Sequence, residues 1–212
     1  MDKSALGTTP VTGRLDLRVV GIGGTTRADS SSEKALKVSL RTAEEAGAQT
    51  QFFGASYLSA LPHYDPTSQA RSLEAQELIS AARGADGLII ASPGYHGSIS
   101  GLLKNALDYM EDMREDDRCY LTGRAVGCIV TAAGWQSAVS TLLSLRSVVH
   151  ALRGWPTPMG ATLNTAVSLF DSDGSCIEDH SRMQLEEVGR EVVAFALMSR
   201  GPSTQMKTGS IL

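Results

Sequence analysis

The strongest constraint on this chain is an alternation. Short, β-branched apolar runs are separated by longer stretches whose apolar residues recur at helical spacing. Five strands are expected: Leu17–Ile22, Gln49–Ser56, Gly87–Ala91, a buried run within Gly123–Ala133, and Thr157–Leu163. Helices are expected over Ser31–Ala46, Ser68–Arg83, Ile99–Met113, Gln136–Leu152 and Asp179–Met198, with LSALPHYDP read as a loop broken by Pro62 and Pro66. Strands that alternate with helices form a parallel sheet covered on both faces, an α/β doubly wound domain. In such sheets ligands bind outside the carboxyl ends of the strands, near the point where strand order reverses. The loops after the first, third and fourth strands, GGTTRADSSS, SPGYHGS and TAAGWQS, are therefore expected to hold the chemistry.

Composition narrows the function classes. The 212 residues suit one domain, expected over residues 15–200, with flexible polar arms at 1–14 and 201–212. Nineteen basic against 23 acidic residues give a net charge of −4, without the basic stripe of a nucleic-acid binder. No apolar run is long enough to span a membrane. Cys119, Cys128 and Cys176 are odd in number and lack metal-ligand spacing, so neither a disulfide scaffold nor a metal site is expected, and a cytoplasmic location is the natural reading. The unusual pairing is 21 glycines with aromatic residues at only 5%. Glycine marks tight turns or close approach of backbone to a ligand.

The first loop joins a strand to a helix N-terminus, where free N–H groups and the helix dipole favour an anion. Thr25, Thr26, Ser30, Ser31 and Ser32 add hydroxyl donors, and Arg27 adds a planar fork suited to phosphate oxygens. Ordinary capping by Ser30 or Ser31 accounts for one serine. It leaves two glycines, two threonines and an arginine unexplained. A P-loop is absent, and Thr26 stands where a G-x-G-x-x-G fingerprint needs its last glycine. A mononucleotide phosphate fits better than a dinucleotide. In the second loop, Gly94 and Gly97 allow peptide groups to approach a flat ligand, Tyr95 and His96 offer faces and polar edges, and Ser98 or Ser100 can cap the next helix. A plain Pro-Gly turn with an exposed histidine is the bland alternative.

SPGYHGSISGLLKNALDYM resembles the signature of the NADPH-dependent FMN reductases, flavodoxin-like flavoproteins that include azo and quinone reductases, with its Pro-x-Tyr loop followed by Leu-Lys-Asn-x-x-Asp. GGTTRADSSSEKAL is similar to that family's phosphate loop, with Thr25 in place of the usual serine, and LPHYDP to its Leu-Pro-x-Tyr-Asp segment. The likeness runs from about Leu17 to Leu163. It implies a flavodoxin-like, five-stranded parallel sheet with helices on both faces. It also implies that Thr25, Arg27, Ser30 and Ser32 hold the FMN phosphate and that Pro93, Gly94, Tyr95, His96 and Gly97 line the isoalloxazine. Lys104, Asn105 and Asp108 then serve structure, and no catalytic acid, base or nucleophile is nominated.

The third loop departs from the family's glycine-rich turn. Thr131, Ala132 and Gly134 remain candidate flavin contacts, and the bulky Trp135 either walls the flavin site, faces a subunit interface or simply packs. The implied activity is hydride transfer from NAD(P)H as co-substrate to N5 of FMN, then on to a second acceptor: free flavin for a partner monooxygenase, a quinone, an azo compound or a metal ion. A homodimer or homotetramer is implied as well. The competing expectation is a flavodoxin-like FMN electron carrier that does not oxidise nicotinamide.

Overall fold

A computed structural model describes residues 16–200; the arms expected at 1–14 and 201–212 lie outside the described residues. Five strands, β1 (Arg18–Gly23), β2 (Gln49–Phe53), β3 (Gly87–Tyr95), β5 (Ala125–Ala132) and β6 (Trp155–Asn164), form a parallel sheet in the order β2-β1-β3-β5-β6. The two-residue β4 (Ser98–Ile99) pairs antiparallel with the end of β3. This is the doubly wound order of the flavodoxin-like fold, and it reverses between β1 and β3.

The helices follow from the apolar spacing. α1 (Ser31–Glu45) and α6 (Asp179–Arg200) cover one face; α3 (Leu73–Gly84), α4 (Gly101–Asp108) and α5 (Trp135–Ala151) cover the other. Within β3 the side chains alternate between the two faces even though all of Gly87–Pro93 is buried. Ile89 and Ala91 join the α1/α6 core, while Leu88 and Ile90 join the α3/α4/α5 core. That period of two is the pleat of a strand buried on both faces. α1 and α6 pack closely because Gly189 has no side chain: a Cβ there would lie 2.5 Å from the carbonyl oxygen of Ser39. The Ser39 hydroxyl donates to the Leu185 carbonyl at 2.7 Å across the same contact. Among the described residues, no helix is long and apolar enough to cross a membrane.

Four boundaries differ from expectation, each for a local reason. The expected strand Gln49–Ser56 stops at Phe53, and part of the loop LSALPHYDP is helical, because Ala55–Ala60 forms α2 after the extended Gly54. The helix expected from Ser68 starts at Leu73, where Ser72 caps it by accepting from Ala75 N–H. The expected Ile99–Met113 helix is β4, then α4 capped by Ser100, then a 3-10 turn over Tyr109–Met113. Ser92-Pro93-Gly94, expected in the loop after the strand Gly87–Ala91, continues β3, with Ser92 and Pro93 still paired to β5 and Gly94 to β4.

Candidate functional site

At the carboxyl ends of β1, β3 and β5 lies a cavity of about 300 Å³, lined by Thr25, Arg27, Ser30, Ser32, Pro93 and Tyr95 together with Gly94, Thr131 and Ala132. Nine of the thirteen sequence-nominated residues thus converge on one space beside the β1/β3 reversal. Ser31, named among the loop's hydroxyl donors, lines it too, as do Ala133 and Thr165, which were not nominated. Thr165 follows β6, outside the three loops expected to hold the chemistry.

The floor is the first turn of α1. Ser30 is its N-cap and accepts from Glu33 N–H at 3.3 Å, so its own hydroxyl hydrogen remains available. The N–H groups of Ser31 and Ser32 have no acceptor within the helix, as for any first turn. Thr25 Oγ1 accepts from Arg27 N–H at 3.0 Å and shapes the exposed loop that carries the guanidinium. Ser32 is buried, and its hydroxyl meets that of buried Thr131 at 3.0 Å. α1 is thereby fastened to the end of β5. Two hydroxyls sharing one hydrogen bond leave one hydrogen free to donate into the cavity.

Beneath the loop, Glu33 is buried. Ser30-x-x-Glu33 has capping-box spacing, yet the carboxylate turns away from the cap and accepts from Ala55 N–H at the start of α2, at 3.2 Å. Its other oxygen pairs with Lys37 at 2.8 Å, and that hydrogen bond is the main reason the Lys37 pKa is raised. Gly24, in the left-handed region at φ +126°, lies between Glu33 and α2. These contacts set the loop's height without placing a carboxylate in the cavity.

The wall is a hairpin. Tyr95 pairs with Ser98, and His96 (φ 52°) and Gly97 (φ 83°) make the two-residue, positive-φ turn typical of tight hairpins. Buried Ser92 clamps it: Ser92 Oγ accepts from Ser100 N–H at 3.0 Å and donates to the Pro93 carbonyl at 2.8 Å. His96 and Gly97 are therefore at the hairpin tip and do not line the cavity, whereas Tyr95 does. Gly94 is squeezed against α5: a Cβ there would lie 2.9 Å from Thr141 Oγ1 and 3.1 Å from Ser137 Oγ. Gly134 and Trp135, at the start of α5, do not line the cavity either; Gly134 faces open space and Trp135 is exposed. The structural part expected of α4 is visible in its contacts. Lys104 pairs with Asp108, and Asn105 accepts from Tyr64 N–H and donates to the Pro62 carbonyl.

Two larger clefts lie elsewhere, one of about 350 Å³ between α3 and β1/β2 and one of about 600 Å³ along α3 and residues 64–71. Neither is at the carboxyl edge of the sheet. In the larger, Arg71 and Arg83 are already engaged two-pronged by Asp112 and Asp116. The smaller cavity has the chemistry: free N–H groups, serine and threonine hydroxyls, one guanidinium and no acidic residue in its lining. That donor set fits a phosphate monoester with a planar group beyond it.

The sequence model of the NADPH-dependent FMN reductases matches residues 17–167. The chain belongs to that family. It is accordingly an oxidoreductase that takes FMN as cofactor and NADPH as co-substrate. Among relatives of this FMN reductase, the NADPH azoreductase of Bacillus sp. (strain OY1-2) is 28% identical over 149 residues, covering 68% of this chain and 78% of that protein. The FMN-dependent NADPH-azoreductase of Staphylococcus aureus (strain USA300) is 34% identical over 110 residues, about half of each chain (52% and 55%). Among solved structures, FerB, a flavoenzyme NAD(P)H:(acceptor) oxidoreductase from Paracoccus denitrificans, superposes with a TM-score of 0.70 at 20% identity, over 86% of this chain and 98% of that one. That similarity shows the shared fold.

Proposed function

We propose that the cavity at the carboxyl edge of the sheet is the FMN site and that the enzyme passes electrons from NADPH to a planar organic acceptor, an azo compound or a quinone. The observation that carries this reading is the joining of the α1 N-terminus to the end of β5 through Ser32 and Thr131, which brings a donor-rich helix turn and the Pro93–Tyr95 segment to one cavity. In it, Ser30, Ser32, Thr25 and Arg27 would hold the phosphate, and Pro93, Gly94, Tyr95, Thr131 and Ala132 would border the ring. Bound there, FMN supplies the hydride and electron chemistry. The chain contributes position. The α1 first turn donates N–H groups to an anion, and the hairpin held by Ser92 fixes one wall. The remaining hydrogen of the Ser32–Thr131 pair donates into the cavity. No acid or base is required of the lining. His96, Gly97, Gly134 and Trp135 are left at the margin.

Names borne by the azoreductase relatives support the acceptor class. Steady-state NADPH oxidation with an azo dye, a quinone and free FMN tests it. Preference for dye or quinone supports the reading; turnover with free FMN alone would instead favour supply of reduced flavin to a monooxygenase. A flavodoxin-like carrier, by contrast, would leave NADPH unoxidised. We also propose a homodimer or homotetramer in which a second copy covers Val139 and Leu143, one turn apart and exposed on α5. Sedimentation as a monomer at micromolar concentration would remove that assembly.

A further inference from the structure

Two of this chain's few aromatic rings stand exposed, one lining the cavity and the other two residues along the chain from the lining residue Ala133. Tyr95, at the end of β3, lines it and is 54% exposed; Trp135, the first residue of α5, is 55% exposed. They are carried by backbone segments in direct contact. Ser137, in the same first turn of α5 as Trp135, donates its hydroxyl to the Gly94 carbonyl at 3.4 Å, and Gly94 precedes Tyr95. Gly134, immediately before Trp135, has nothing within 4 Å of where its Cβ would be. No turn of polar side chains separates the indole from the cavity: the residues between Thr131 and Trp135 are Ala132, Ala133 and Gly134. Ala132 and Ala133 both line the cavity.

An indole held half in water, two residues beyond the cavity-lining Ala133, leaves a large apolar face unburied. A flat aromatic partner lying on it would remove that face from water and add stacking, whereas a small inorganic ion would gain nothing. Tyr95 adds a second exposed ring to a lining otherwise made of small residues, hydroxyls, Pro93 and Arg27. We propose that Trp135 is a specificity-determining residue of this enzyme: its indole is the platform on which a planar aromatic acceptor lies as it enters the cavity, and it sets the acceptor's KM without touching the reduction of the flavin. This rests on the reading of the cavity as the flavin site.

The test uses the oxidised FMN-loaded enzyme. Calorimetric titration with the azo dye methyl red, without NADPH, measures binding apart from turnover. Trp135→Ala should weaken the dye about five- to tenfold, and Trp135→Phe should restore most of the affinity. In turnover, the KM for the dye should rise by the same factor with kcat unchanged. The KM for ferricyanide, which has no ring, should stay at the wild-type value, and sedimentation should show the same assembly. An unchanged dye affinity, or a parallel rise in the ferricyanide KM, would overturn the proposal. A variant that changes its assembly would overturn it too, by assigning the indole to a subunit contact. A wild-type enzyme that binds the dye through Trp135 but reduces none of the planar acceptors would sink the acceptor class under Proposed function while leaving the platform intact.

Discussion

The hydroxyls of Ser32 and Thr131 lie 3.0 Å apart, both buried, although 99 residues separate them. Through that contact the helix turn with free N–H groups and the end of a central strand become two sides of one cavity. Thr131→Val keeps the shape and removes the bond. Removing a neutral hydrogen bond of this kind costs about 0.5–1.5 kcal/mol. FMN affinity, read by quenching of flavin fluorescence, should fall about threefold to tenfold, and Thr131→Ser should recover it. Equal FMN affinity in the valine variant would mean that the pair is only packing.

Arg27 is exposed and, among the described residues, makes no ion pair. Its charge is free for a phosphate. Hydrogen bonds to charged groups contribute about 1.5–3 kcal/mol. Arg27→Met should weaken FMN by about tenfold to a hundredfold while leaving riboflavin, which has no phosphate, nearly unaffected. The comparison of the two flavins by equilibrium titration separates phosphate recognition from a general loss of the site.

Two glycines near the site should behave oppositely. Gly94→Ala forces a methyl against Thr141 Oγ1 and Ser137 Oγ, and such overpacking costs about 1–3 kcal/mol. Gly134 is extended (φ −158°) at the N-cap of α5 and has open space around it. Gly134→Ser adds a capping oxygen and should be neutral or stabilising by a few tenths of a kcal/mol, that is about 0.3. Urea unfolding of both variants measures the contrast.

That contrast also marks what the sequence could and could not reveal. The alternation of strands and helices was legible because each buried strand needs an apolar run and each helix an apolar stripe. The phosphate turn was legible because two glycines, several hydroxyls and Arg27 exceed what capping requires. The role of Gly94 was only half legible: it lines the cavity as expected, but the exclusion of its Cβ by α5, a contact 43 or more residues away in sequence, has no local signal. Likewise, His96-Gly97 could have been read as a tight hairpin turn, but Pro93-Gly94 just before it carries the louder turn signal. Thr165 escaped because it follows the fifth strand of the sheet, outside the three loops expected to hold the chemistry.

Acid should destabilise the fold through Glu178. This carboxylate accepts from Ser181, hydroxyl and N–H, and from His180 N–H at the start of α6, and these bonds hold its pKa below the ordinary value of 4.5. A depressed carboxylate stabilises the native state above its unfolded pKa, and that contribution is lost as pH falls through the native one. The melting temperature should therefore drop below pH 4.5, and Glu178→Gln should flatten that part of the profile. An identical acid limb in the variant would contradict the assignment.

Thiol reactivity should be uneven. Cys128 is buried in the sheet, and desolvation pushes its thiol to about 12; Cys176 is also buried, whereas Cys119 is partly exposed. A thiolate-seeking disulfide reagent at pH 8 should modify Cys119 rapidly in the native enzyme and all three cysteines only after unfolding. Rapid modification of Cys128 would mean that β5 opens readily.

The most direct measurement is the position of the phosphate in a crystal structure of the FMN-loaded enzyme. It should lie at the first turn of α1, within hydrogen-bonding distance of Ser30, Ser32 and the Arg27 guanidinium, with the ring against Pro93–Tyr95. A phosphate anywhere else, such as the larger cleft beside Arg71 and Arg83, would contradict the assignment of the site.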